Sequence, residues 1–416
     1  MRTIRMLGFV TTAALVLSPA LMLSLRGGTG YCFFVVLALA LVYLRDKSHW
    51  ARVAELYRQH RTFVAALLAL PCLVLFQIVV LRIGNFPALD PLLRLALVVP
   101  SFFFLASLDS RQLRLVQWGC VAGALWCGGW VFYQMAHPAV AYGVQRVGNP
   151  YTNPIPFGDT ALVLGFLSVA SIRRGTHAHW AEVTIKLVAL FGGCYASYAS
   201  GARGGWIALP LLIWAAVGGR HWLASTRARM AFASTLLVCA GALASTSVVR
   251  ERVAAFHTDL QDLQHGDADT STGVRFGLWR ASLRLYASHP LLGVGRGGLE
   301  SATRSLVKQG EGSPLIINGR AHSEFFSVLA ETGTIGVAAL LFLYAGTFLP
   351  FWRNRNSADA DIATASYMGM TLVGGTVIFG LTIDVLTLVM NTAFFALTTA
   401  TLLAWIEARK REIGEA

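Results

Sequence analysis

The sequence predicts an all-α polytopic membrane protein with about twelve spanning helices and one long outward segment. Three observations carry this. Hydrophobic residues make up 55% of the 416 and charged residues only 13%, about half the roughly 25% of a soluble domain. Mean hydropathy is +0.58. Apolar runs of spanning length recur along the whole chain. So few charges cannot cover a water-facing surface, which excludes a soluble enzyme and a disordered chain alike.

The spans are read at 7–25, 30–44, 62–81, 91–108, 115–135, 157–172, 183–200, 204–219, 230–249, 334–352, 362–386 and 388–406. The first follows a basic start, Met1-Arg-Thr-Ile-Arg5, but its apolar run is long and no small-x-small cleavage site follows, so it reads as an uncleaved helix. In the last stretch Asp384 and Asn391 mark a polar turn between spans eleven and twelve. The predicted organisation is 1–249 for spans one to nine, 250–333 for an outward cap, and 334–416 for spans ten to twelve and a tail.

A net charge of +13 would suggest nucleic acid in a soluble protein, but here its placement matters more. With the N-terminus in the cytoplasm, 19 of the 34 lysines and arginines fall in cytoplasmic segments and four in short outer loops: Arg26, Arg82, Arg146 and Arg203. The positive-inside rule then puts both termini in the cytoplasm and 250–333 outside, with no call for nucleic acid. All six cysteines (Cys32, Cys72, Cys120, Cys127, Cys194 and Cys239) fall inside spans, so neither a disulfide framework nor a cysteine metal site is expected.

Chemistry is expected in the outward segment. A helix is predicted from about Gly273 to Ser288, capped by Ser271 or Thr272, with Phe276, Trp279, Leu283, Tyr286 and Ala287 as one apolar stripe. Arg280 and Arg284 on its edge read as lipid-facing. Arg275 sits in the predicted first turn, where the macrodipole disfavours a cation by about 0.3–1 kcal/mol. An arginine beside helix N–H groups makes an anion site.

His289-Pro-Leu-Leu-Gly-Val-Gly-Arg-Gly-Gly298 matches G-x-G-x-x-G, but no strand or βαβ unit surrounds it, so it reads as a tight turn in which Arg296 is a phosphate candidate. Asp267-Ala-Asp269 resembles a metal-binding D-x-D pair and reads better as a solvated turn. A second short helix is predicted to start around His322, after Asn318-Gly-Arg320, and to break at Thr332-Gly333. His322 there suits a general base near neutral pH. Ser200-Gly-Ala-Arg-Gly-Gly-Trp206 joins spans seven and eight and puts Arg203 among glycines that admit a ligand close to the backbone.

Taken in order, Ser200-x-x-Arg-Gly-Gly-Trp206, Thr272-Gly-Val-Arg275 with Leu278-Trp279, His289-Pro with Gly293-Val-Gly295, and His322 followed by Glu331-Thr-Gly-Thr-Ile-Gly336 resemble the O-antigen ligase family, in the O-antigen ligase/polymerase superfamily of bacterial inner-membrane glycosyltransferases. The resemblance implies a GT-C-like fold and metal-independent, inverting transfer without a cofactor. The donor would be an undecaprenyl-diphosphate-linked glycan and the acceptor a sugar hydroxyl of lipid A–core, both held in membrane lipid at the periplasmic face. It also implies that Arg203, Arg275 and His322 are the essential residues. Arg296, Arg146, Arg320 and Trp279 are further candidates for holding diphosphate or acceptor. An O-antigen polymerase or a protein O-oligosaccharyltransferase shares the motifs. A lipid-linked glycan transporter is the alternative of a different class; for it only Arg94, Lys186 and Asp384 supply ionisable groups deep in the bundle.

Overall fold

A computed structural model describes residues 2–137, 146–173, 179–218 and 271–415, with the isolated helical residues 226, 227, 230 and 234. The described chain is helical with no extended strand, and its β pairing is limited to isolated bridge residues, such as Asn149 with Thr152. Its helices are α1 Arg2–Ala20, α2 Gly28–Arg45, α3 Trp50–Gln59, α4 Arg61–Val79, α5 Phe86–Leu105, α6 Ser110–Leu113, α7 Val116–Ala136, α8 Pro154–Ala170, α9 Trp180–Ser200, α10 Leu209–Val217, α11 Ser271–Ser288, α12 Leu299–Lys308, α13 Glu324–Asn354, α14 Ala360–Phe379 and α15 Val389–Ile413. Among the described residues eight helices are long and apolar enough to cross a membrane: α2, α4, α5, α6 with α7, α9, α13, α14 and α15. Three further apolar helices are shorter: Gly8–Ala20, Pro154–Ala170 and Arg203–Val217. Apart from residues 230 and 234, the predicted span 230–249 lies outside the described residues, as do Asp267, Asp269 and Cys239.

The chain divides into two units. The first comprises Met1–Leu75, Phe86–Gly218 and Ala338–Ala416. Its centre is α14 and α15, nearly every residue of which is buried through the apolar stretch, including Trp405 at 0% exposure. Helices α8 and α9 pack closely because both carry small residues; a Cβ on Gly193 would lie 2.4 Å from the Ala161 carbonyl oxygen.

Several arginines that topology alone explains also tie helix ends together. Arg173 makes a two-pronged pair with Asp361 at 2.9 and 3.2 Å. Arg409 pairs at 2.9 Å with Asp359, whose other oxygen caps α14 through the N–H groups of Asp361 and Ile362. Arg411 donates to the carbonyls of Ala106 and Leu108 at 2.7 and 2.8 Å. Deeper in the unit, Lys186 is fully buried and donates to Glu182, Gln117 and the Ser171 carbonyl. Arg94 pairs with Asp90 on its own helix.

The polar turn predicted around Asp384 and Asn391 is present but buried. Asp384, at 3% exposure, lies between α14 and α15, and Asn391 is already inside α15.

The second unit comprises Phe76–Asn85 and Gly219–Val337. Two small apolar clusters hold it. One joins Leu285, Leu299, Ala321 and Ala330 with Trp279 and Phe326; the other joins Leu278, Ala281 and Ile316. The predicted helix is real, but three details change. It is described from Ser271, so Ser271 and Thr272 lie within it and Arg275 sits beyond its first described turn. The macrodipole argument for Arg275 therefore does not apply. Its buried face is Leu278, Ala281, Ser282 and Leu285, while Phe276, Leu283 and Ala287 of the predicted stripe are exposed. Both faces carry apolar groups, so periodicity alone chose the wrong one.

The helix predicted to start near His322 starts instead at Glu324, and its predicted break at Thr332-Gly333 is present: two helical segments meet at Gly333, whose backbone is not helical. The chain bends there, with Gly333 at φ 63° and ψ −159°, and α13 runs on to Asn354.

Candidate functional site

The predicted site residues fall in both units. Arg203 and Arg146 belong to the first; Arg275, Trp279, Arg296, Arg320 and His322 belong to the second.

In the first unit α9 ends at Gly201, which takes the left-handed conformation that closes a helix (φ 65°). A short 3-10 turn, Arg203–Ala208, follows and leads directly into α10. Arg203 is the exposed first residue of that turn. Tyr198 and Trp206 stack across it with centroids 6.1 Å apart. Arg146 donates from Nε to the Ser200 carbonyl at 3.0 Å and from Nη2 to the Gly201 carbonyl at 3.2 Å. It thus satisfies the open carbonyls at the end of α9, which makes it a support of the turn that carries Arg203.

In the second unit Arg275 is half-buried and has neither a hydrogen bond nor an ion pair among the described residues. Burial lowers its pKa from the ordinary arginine value, yet a guanidinium stays protonated at any physiological pH. A partly desolvated cation without a carboxylate is a strong anion ligand. Arg284, by contrast, pairs with Glu311 at 2.9 Å, and Arg280 is exposed.

One turn along α11, Trp279 donates from Nε1 to the Ala321 carbonyl at 3.1 Å and stacks on Phe326 at 5.0 Å. The Ala321 N–H donates to Ser327 Oγ at 2.9 Å. Both backbone groups of the residue before His322 are therefore pinned. His322 itself is half-buried with φ 52°, a left-handed conformation that costs a non-glycine residue about 1–3 kcal/mol and recurs at functional sites. It precedes α13 by two residues, so it does not share the helical face of Phe325, Phe326 and Leu329. Trp279 is the residue that fastens the histidine segment to α11.

Arg320 is exposed at the same loop. Arg296 is not a surface cation. At 2% exposure it lies between Glu331 (2.9 Å) and Glu324 (3.5 Å), themselves 3% and 1% exposed. Glu331 also accepts from the Gly297 N–H at 3.0 Å, and Gln77 donates to the carbonyls of Leu292 and Glu331. The Gly-rich segment is a tight turn, with Gly293, Gly295 and Gly297 all at positive φ. At Gly293 a Cβ would lie 2.4–2.5 Å from the backbone of Ala330, Glu331 and Thr332. The two glutamates near His322 in sequence thus converge on Arg296.

Sequence reasoning overlooked a buried acid with no hydrogen-bond partner among the described residues. Asp159 on α8 is 2% exposed, and neither carboxylate oxygen has a hydrogen-bond partner. A lone aspartate inside the run 157–172 was the signal available for it. Among the described residues no cluster of three or more His, Cys, Asp or Glu side chains is placed to hold a metal.

These features define a multi-pass, all-α membrane protein with functional groups of the motif set in both units. Residues 187–341 match the O-antigen ligase family, and every motif quoted above lies within that match. A protein of Haemophilus influenzae, described as uncharacterized, is 22% identical over 226 residues, which cover 53% of this chain and 57% of that protein. The match thus spans little more than half the length of either protein.

Proposed function

We propose that the protein is an O-antigen ligase of the bacterial inner membrane, with both termini cytoplasmic and its site at the periplasmic face. The acceptor hydroxyl of lipid A–core attacks the anomeric carbon of the glycan. The bond from that carbon to the undecaprenyl diphosphate oxygen breaks, and the diphosphate leaves with the electron pair. His322 takes the hydroxyl proton. Arg275 and Arg203 stabilise the charge that develops on the diphosphate, so no divalent metal and no cofactor is needed. Exposed Arg320 and the Trp279 that fastens the histidine segment complete the set. Arg296 and Arg146 act through structure, since their guanidinium groups already bind protein oxygens.

The observation that carries this reading is Arg275, half-buried and without a described partner, inside the matched family segment. Against transport, the deep cations Arg94 and Lys186 are neutralised by neighbours on the spot, which leaves the buried acids Asp159 and Asp384 as further ionisable groups there.

Purified protein given one lipid-linked donor and, in separate reactions, lipid A–core, free glycan or a protein acceptor tests the proposal. Transfer to lipid A–core supports ligation. Transfer to glycan alone would make it a polymerase, and to protein alone an oligosaccharyltransferase.

A further inference from the structure

A cavity of about 20 Å³ lies within the first unit, walled by α8, α14, α15 and the turn between the last two. That is room for one water-sized particle. Most of its wall is apolar, including Phe379 and Phe394. The polar exceptions are Asp159, Thr160, Thr376 and Asn391. Asp159 is 2% and Asn391 8% exposed, and three of their oxygens, both of Asp159 and Oδ1 of Asn391, have no hydrogen-bond partner. Thr376 spends its proton on the Leu372 carbonyl at 2.8 Å, which leaves its oxygen able to accept.

The cavity therefore gathers acceptors and a formal negative charge, and although Thr160 and Asn391 also carry donor groups, no described group donates to Asp159 or pairs with it. A buried unpaired carboxylate costs several kcal/mol. A single water donates at most two hydrogen bonds and leaves the charge uncompensated. One carboxylate among neutral oxygens suits a monovalent ion, whereas calcium and magnesium draw on more oxygen ligands or several carboxylates.

We propose that this cavity binds an alkali-metal cation, Na⁺ or K⁺, held by Asp159 and Asn391 with Thr376. The site also bears on the Arg203 turn. A Cβ on Gly205 would fall 2.1 Å from Asp159 Oδ1, so the turn rests directly on the carboxylate, and only glycine permits that approach. The inference does not rest on the ligase reading.

The test is the apparent melting temperature of the purified protein in nanodiscs, titrated with NaCl or KCl against choline chloride at constant ionic strength. Wild type is expected to rise saturably, by about 3–6 °C once the cation is 100-fold above half-saturation. Asp159→Asn, which keeps the shape and removes the charge, is expected to show no rise. Asn391→Leu is expected to raise the half-saturating concentration at least tenfold, and it decides the matter if Asp159→Asn fails to fold. Equal melting temperatures for wild type in all three salts would overturn the proposal and mean that Asp159 is held as the neutral acid. An undiminished rise in both variants would overturn it as well, by placing the cation elsewhere.

Discussion

Two arginines that look alike in sequence are separated by their surroundings. Arg296 fills a buried gap between Glu324 and Glu331, whereas Arg275 is half-buried with no described partner. Removing the first strands two buried carboxylates, so Arg296→Ala is expected to destabilise the fold by about 3–5 kcal/mol, read as a large fall in melting temperature or in folded yield. Arg275→Ala should instead leave the melting temperature within a few degrees and lower transfer at least about 100-fold. His322→Ala is expected to lose about 100-fold to 10,000-fold, and Arg280→Ala less than about threefold, in the same assay. Wild-type transfer by the His322 variant would remove it as the base. The motifs that hold these residues were legible in the sequence, because they keep order and spacing. Their partners were not, since Arg296 meets Glu331 across 35 residues and only the fold brings them together.

At the scale of elements, the joints are set by backbone conformation. Gly333 bends α13 at φ 63°, and a Cβ there would lie 2.4 Å from the Leu291 carbonyl carbon. Gly333→Ala is therefore expected to cost more than about 1 kcal/mol in thermal or denaturant unfolding. Asp359 is the corresponding device at the start of α14. Burial raises its pKa, but the bond from Arg409 and the capped N–H groups outweigh this and hold it below the usual carboxylate range. A depressed folded-state pKa contributes stability above the unfolded value of about 3.9 that is lost as pH falls through the folded value. Wild type should exceed Asp359→Asn in melting temperature at pH 7, and the gap should close as pH falls toward 3. A gap that widens in acid would contradict the assignment. The spanning helices were readable because a membrane demands long apolar runs. The face of α11 and the start of α13 were not, because α11 is apolar on both sides and a left-handed His322 shifts the helix start by two residues. Asp159 was visible as a charge in an apolar run and was passed over.

Across the whole molecule, the charge excess resolves into separate jobs. Arg173, Arg409 and Arg411 bind helix ends on the face assigned to the cytoplasm, while Arg203 and Arg275 lie in the segments assigned outward. In a background without native cysteines, Lys308→Cys is expected to react with an impermeant maleimide added from the periplasmic side, and Glu415→Cys only after the inner membrane is opened. The reverse pattern would invert the topology and move the chemistry to the other face.

The central claim is that guanidinium groups, with Arg275 foremost, do the work of a metal on the departing diphosphate. The most direct measurement is the single-turnover rate of glycan transfer to lipid A–core by wild type and Arg275→Ala, each with and without a strong divalent chelator. The account predicts an unchanged wild-type rate in chelator and a fall of at least about 100-fold in the variant under both conditions. Abolition of wild-type transfer by chelator, or a variant rate near wild type, would contradict it.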